Sequence, residues 1–241
     1  MIGPAVVTGA GGGLGRACAL ALARRGAEVA LIARGRAALE RVAADVAELG
    51  GRARVVPCDV TDAGALRAAM AALPVPAVLV ACAGGNRPEP LLEVTEEALE
   101  WSWRLNVMGS FVAAQCAAGR MIEAGTPGAI VFVSSQMGHV GAARRTVYCA
   151  AKHAVEGLTK AMALELAAHG IRVNSVAPTF VDTPMTRPFL ADPEARQAIE
   201  RRIPLGRLGE ASEVADAVLF AATSTLMTGA SLRVDGGWTA G

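Results

Sequence analysis

Val6-Val7-Thr8-Gly9-Ala10-Gly11-Gly12-Gly13-Leu14-Gly15 is the stretch on which the fold turns. The two valines end a short apolar strand, and an Ala/Leu-rich helix follows over 14–25, stopped by Gly26 in the C-cap role. Glycines at a strand-to-helix turn allow a tight bend and let the backbone approach a pyrophosphate, which helix N-terminal amides hold. Such a run is weak evidence alone. Its place directly after the first strand of a βαβ unit is what makes it a candidate dinucleotide turn.

Outward from the turn, short apolar strands keep alternating with helices. Val29-Ala30-Leu31-Ile32 precedes a helix over 37–49, and Val55-Val56 leads to Cys58-Asp59 and a helix over 63–72. Val78-Leu79-Val80 leads to Ala83-Gly84-Gly85, then a Pro-containing loop and a long helical region over 95–123. Ile130-Val131-Phe132-Val133 is followed by a helix over 146–168 and a strand over 173–176. An irregular region to Gly209, a helix over 212–222 and a strand over 231–234 complete the chain. This alternation predicts right-handed βαβ units. The expected fold is α/β, a Rossmann-type doubly wound parallel sheet of about seven strands with helices on both faces. No interior linker or repeat is visible, so residues 1–241 read as one domain.

Composition agrees with this class and excludes others. The chain is 53% hydrophobic but only 4% aromatic, a mixture suited to parallel strands packed closely under Ala-rich helices. No run of about 18 apolar residues is free of Gly or charge, so no membrane span is expected. A net charge of +1 without a basic tract argues against nucleic acid. The five cysteines are scattered, without C-x-x-C spacing, which indicates neither a disulfide framework nor a metal site. The first strand starts almost at Met1, which leaves no room for a signal or transit peptide and makes the cytoplasm the expected compartment.

The only tyrosine, Tyr148, stands four residues before Lys152, with Ser134-Ser135 just upstream at the end of an apolar run. A phenol, with an ordinary pKa of about 10, is a poor acid-base group at neutral pH. Four-residue spacing on a helix places a cation on the same face, where it would favour the phenolate and lower that pKa.

Together these segments resemble the short-chain dehydrogenase/reductase family. Thr8, Gly9, Gly13 and Gly15 fit T-G-x-x-x-G-x-G, Tyr148 and Lys152 fit Y-x-x-x-K, and Ser135 lies thirteen residues before the tyrosine. Asn106 matches the family's asparagine on the fourth helix and Asp59 the acidic residue that contacts adenine. Arg172-Val173-Asn174-Ser175-Val176-Ala177-Pro178 and Val234-Asp235-Gly236-Gly237 resemble later landmarks, so the likeness spans essentially the whole chain. Two departures stand out. The family's N-N-A-G reads Ala81-Cys82-Ala83-Gly84, and its P-G reads Pro178-Thr179.

The resemblance implies hydride transfer between a nicotinamide and a carbonyl or secondary-alcohol carbon. Tyr148 is the implied general acid/base, Lys152 its tuning cation and ribose ligand, and Ser135 the holder of the substrate oxygen. Asn106 would hold a water in a relay ending at Lys152. The cofactor set is Thr8, Gly9, Gly13, Leu14, Gly15, Arg34, Asp59, Val60, Ala83, Gly84, Tyr148, Lys152, Val181 and Thr183. Ala33 occupies the position that carries Asp in NAD-preferring relatives, and Arg34 follows it, so NADP(H) is favoured over NAD(H).

Candidates for the substrate are Gln136, His139, Phe180 and Met185, with Gly85, Asn86, Met137, Arg144, Phe189 and Trp238 as further cleft residues. His139 and Arg144 read either as binders of an acidic or hydroxylated group or as surface residues. The segment 183–208, rich in Pro and charge, reads as a mobile lid. The expected function is an NADP(H)-preferring carbonyl reductase or alcohol dehydrogenase for a small molecule. Alternatives are a 3-oxoacyl-carrier-protein reductase, for which Arg144-Arg145 and Arg201-Arg202 offer a basic docking patch, and an NAD-dependent sugar-acid or polyol dehydrogenase. A non-catalytic dinucleotide-binding scaffold would carry the glycine turn with a broken catalytic set. By resemblance, too, a homotetramer is expected.

Overall fold

The computed structural model describes residues 2–241. In chain order it runs β1 (Ala5–Thr8), α1 (Gly13–Arg24), β2 (Glu28–Ala33), α2 (Arg36–Glu48), β3 (Arg52–Pro57) and α3 (Ala63–Ala71). Then come β4 (Val78–Ala81), α4 (Glu96–Trp103), α5 (Gly109–Glu123), β5 (Gly128–Val133), α6 (Thr146–Leu166) and β6 (Ile171–Pro178). The last elements are α7 (Arg187–Leu190), α8 (Pro193–Arg202), α9 (Ala211–Thr223) and β7 (Ser231–Val234).

All strand pairs are parallel, and the seven strands lie in the order β3-β2-β1-β4-β5-β6-β7. Successive strand residues point to opposite faces, so Val6 and Val7 enter different layers. Val7, Leu31, Val80 and Val131 pack under α1, α2 and α9. Val6, Ile32, Leu79, Ile130 and Phe132 pack under α3, α5 and α6. Covering both faces is what the continuous apolar strands require. Strand order reverses between β1 and β4, where Thr8 pairs with both Ile32 and Ala81. The crevice beyond those carboxyl ends is where a sheet of this kind binds its ligand.

The long helical region expected over 95–123 is present without a break in helical residues, passing through a π-helical segment, Arg104–Met108. Its cause is local: the Asn106 side-chain amide donates to the Ser102 carbonyl oxygen at 3.0 Å, competing with the backbone ladder. The region expected to be irregular up to Gly209 is corrected: it contains α7 and α8. Asp192 caps α8 by accepting from the Glu194 N–H, and Pro193 takes the first helical position, where a missing N–H costs nothing. Among the described residues no helix is long and apolar enough to cross a membrane.

Candidate active site

The turn after β1 uses its glycines for two separate reasons. Gly9 has φ +69°, and a Cβ there would lie 2.8 Å from the Ala83 nitrogen. At Gly15 a Cβ would overlap the Gly9 carbonyl oxygen, because α1 begins directly against the turn it leaves. The result is a groove of bare backbone at the amino end of α1, a shape and polarity that fit a pyrophosphate.

From this groove a cleft of about 540 Å³ crosses the carboxyl ends of the strands. Its walls bring together most of the residues expected to hold a cofactor: Gly9, Gly13, Leu14, Gly15, Arg34, Asp59, Val60, Ala83, Gly84, Val181 and Thr183. Ser135, Tyr148 and Lys152 close the same cleft at its other end. Arg34 is exposed and has no acidic partner within 4 Å among the described residues. Asp59 accepts from the Thr61 N–H at 2.9 Å and the Thr61 hydroxyl at 2.8 Å, which fixes its carboxylate at the cleft edge.

Thr8 is placed differently from expectation. It is buried beneath the turn, and its Oγ1 accepts from the N–H groups of both Cys82 and Ala83 at 3.1 Å. These bonds support the stretch from which the family's two asparagines are missing.

Lys152 is buried at 4% exposure, and its ammonium donates to the Val133 carbonyl oxygen at 2.9 Å. It lies 5.6 Å from the centre of the Tyr148 ring. Burial lowers its pKa from 10.5 to about 8, opposed by the charges of Cys82 and Glu156. Burial likewise pushes the Tyr148 phenol up to about 12, while hydrogen bonding with Ser135 and the charge of Arg145 pull it down. The expected lowering of the phenol by Lys152 is therefore corrected: desolvation of the hydroxyl dominates in the protein alone. By area the residue is half-buried, and it lines both the cofactor cleft and the small pocket beside it.

Asn106 is fully buried and its side chain is committed. Oδ1 accepts from the Gly85 N–H at 3.0 Å, and Nδ2 donates to the Gly85 carbonyl oxygen and to Ser102. It clamps the loop after β4 rather than lining the cleft. A Cβ on Gly84 would sit 2.9 Å from Asn106 Oδ1 and 3.6 Å from Lys152 Nζ, so the three groups meet around that glycine.

Beside Ser135 and Tyr148 opens a small pocket holding Gln136, Phe180 and Met185 from the expected substrate set, with Asn86, Thr179 and Phe189. Ser135 donates to Gln136 Oε1 at 3.0 Å and accepts from the Met137 N–H at 3.2 Å, which orients the serine. Asn86 Oδ1 and Thr179 Oγ1 are buried there without a hydrogen-bond partner. Thr179, the departure from Pro-Gly, is thus a cleft residue that the sequence marked only as an anomaly. His139 is absent from the pocket. Its Nε2 lies 3.0 Å from Ser231 Oγ on β7 and 3.4 Å from Glu156 Oε1, because the turn Gln136–Gly138 carries it to the back of the site.

Comparison with known proteins matches this geometry. Residues 9–239 fit the family model described as enoyl-(acyl carrier protein) reductase. An L-xylulose reductase from Mesocricetus auratus is 42% identical over 236 residues, covering 97% of this chain and 95% of the relative. A (3R)-3-hydroxyacyl-CoA dehydrogenase from Canis lupus familiaris is 39% identical over 247 residues, covering 97% and 95%. The crystal structure of a gluconate 5-dehydrogenase from Beutenbergia cavernae, with bound NADP, superposes with a TM-score of 0.94 at 35% identity, covering 99% and 97%. With the parallel sheet, glycine turn and Ser-Tyr-Lys set in one cleft, the chain belongs to the short-chain dehydrogenase/reductase family and is an NAD(P)-dependent oxidoreductase acting on alcohol and carbonyl groups.

Proposed function

We propose that this chain is an NADP(H)-preferring reductase of small hydroxylated ketones, with Tyr148 as the general acid. The observation that carries the substrate class is the small pocket beside Tyr148 and Ser135, where Asn86 Oδ1 and Thr179 Oγ1 are buried and unpartnered. Buried polar atoms are ordinarily satisfied, and an orphaned pair in a cleft is matched by a ligand rich in hydroxyl groups. The sugar reductase among the relatives supports the same class.

Ala33 ends β2 without a carboxylate, and the exposed Arg34 beside it is free to meet a 2′-phosphate. That pair supports NADP(H). When bound along the glycine groove, the cofactor supplies or accepts the hydride at the reacting carbon. Ser135, oriented by Gln136, holds the substrate oxygen, and Tyr148 gives its proton to that oxygen in reduction or takes it back in oxidation. Lys152 supplies fixed positive charge beneath the phenol from its seat on Val133.

The whole chain is proposed to act as one domain and to assemble as a homotetramer in the cytoplasm. Exposed apolar side chains along α4 and α5 (Leu99, Trp103 and Phe111) support assembly. A second reading, reduction of 3-oxoacyl thioesters, is favoured by the acyl-CoA relative.

The test is turnover of L-xylulose, D-erythrulose and an acetoacetyl thioester with NADPH and NADH, using wild type and Tyr148→Phe. The expected result is NADPH-linked ketose reduction that falls about 10²–10⁴-fold in Tyr148→Phe while NADPH still binds. Thioester turnover without ketose turnover selects the second reading. Full activity in Tyr148→Phe removes the mechanism.

A further inference from the structure

Arg145 is an arginine in an unusual setting. It stands at the amino end of α6, three residues before Tyr148, and its guanidinium lies 5.1 Å over the ring of Phe189, a wall of the substrate pocket. Its Nε is buried without a hydrogen-bond partner, and no carboxylate lies within 4 Å of its side chain among the described residues. Burial lowers its pKa, so this cation is partly stripped of water without receiving a counter-charge.

The backbone is bent to put it there. Arg144, immediately before it, is the one non-glycine among the described residues with positive φ, at 60°. A left-handed backbone is unfavourable for a residue that carries a side chain. The Arg144 carbonyl oxygen accepts from the Glu89 N–H at 3.0 Å and the Arg145 N–H donates to the Ala142 carbonyl oxygen at 3.2 Å, locking the bend. The neighbouring cation Arg87 is engaged elsewhere, 3.9 Å over the Trp101 ring. Strain and desolvation thus converge on one guanidinium beside the proposed acid and the substrate pocket. Such costs cluster at active sites and ligand clamps, held in place by the surrounding structure.

We infer that Arg145 is the receptor for a carboxylate on the substrate, and that the hydroxylated ketone or alcohol turned over here is a small sugar acid with its carboxylate close to the reacting carbon. The inference rests on the ketone-reductase reading and narrows its substrate class. The Nε–Nη edge of arginine matches the two oxygens of a carboxylate in a planar fork, and the unpartnered Nε is half of that fork. Phe189 packs against the guanidinium face, and Nε is the atom on its edge that is left without a partner. Asn86 and Thr179 then meet the hydroxyls of the same molecule. Arg145, rather than the exposed Arg144, is the residue that the fold brings to this position.

The test is calorimetric binding to the NADP⁺-saturated enzyme, with no turnover required. Erythronate, ribonate and gluconate are compared with erythritol, ribitol and glucitol. In wild type at least one acid binds about tenfold or more tighter than its neutral counterpart, as a charge-assisted contact provides. Arg145→Gln brings each pair to within about threefold, and Arg145→Lys, which keeps the charge and loses the fork, falls between. Equal binding of acids and polyols by wild type, or a preference that survives in Arg145→Gln, overturns the inference; the wild-type comparison decides even if the variants fold poorly. Reduction of neutral ketoses by an enzyme with no carboxylate preference removes this inference and leaves the proposed function standing. Arg145-dependent binding of acids by an enzyme inactive on neutral ketoses keeps the inference and confines the proposed function to acid substrates.

Discussion

Lys152→Met is expected to make the cofactor-free protein more stable while destroying its activity. A lysine brought from 10.5 to about 8 by burial carries an unfavourable difference of about 3 kcal/mol between its charged and neutral forms. Below pH 8 the amine is protonated in both folded and unfolded chains, so the folded state bears that whole cost. Methionine fills a similar volume with no charge to desolvate. It forfeits the bond to the Val133 carbonyl oxygen, a loss of about 1–2 kcal/mol. The net gain is therefore about 1–2 kcal/mol at neutral pH, or roughly 2–8 °C in Tm for a chain of this size. Between pH 8 and 10.5 the folded wild type releases its proton first, its stability rises, and the advantage of the variant shrinks. Urea unfolding of both proteins without NADP(H), at neutral pH and across that window, measures the difference. A less stable variant, or a stability gap that ignores pH, would refute the account of Lys152 as a buried charge held at an energetic cost.

Other outcomes follow from single contacts. Ala33→Asp puts a carboxylate at the end of β2 beside the ribose site. NADPH affinity should fall tenfold or more relative to NADH, read by fluorescence titration of both cofactors. Gly15→Ala forces a methyl into the Gly9 carbonyl oxygen and should abolish cofactor binding, with about 1–3 kcal/mol of stability lost. Gly12→Ala meets nothing within 4 Å of the new Cβ and has extended φ, so melting and titration should leave it near wild type. Thr8→Val removes the acceptor shared by the Cys82 and Ala83 N–H groups and should cost about 1–3 kcal/mol in thermal or urea unfolding.

What the sequence made legible was local or periodic. The glycine turn, the strand-helix alternation and the four-residue step from Tyr148 to Lys152 are short-range patterns, and each appears in the structure where it was expected. What it hid depends on contacts between distant segments. Thr8 reads as a cofactor residue until Cys82 and Ala83, more than seventy positions away, are seen donating to it. Asn106 reads as a relay residue until its side chain is seen clamping Gly85, twenty-one positions away across a loop. His139 turns away because Ser231 and Glu156 draw it behind the site. The direction of the Tyr148 shift is not legible in the sequence, because spacing reveals the nearby cation but not how much water folding removes from the hydroxyl. Arg145 and Arg144 are indistinguishable as letters, and only the left-handed backbone at Arg144 separates their fates.

Because Tyr148 is the sole phenol in 241 residues, the enzyme carries a spectroscopic label at the place where its chemistry is proposed to occur. The ultraviolet difference band that accompanies phenolate formation has one possible owner. No tyrosine background needs to be subtracted and no isotope or dye needs to be introduced. An absorbance titration of the native enzyme thus reads the ionisation of this one hydroxyl directly. Repeating it with cofactor, then with ligand, would show how each cargo changes the acidity of the group that awaits it.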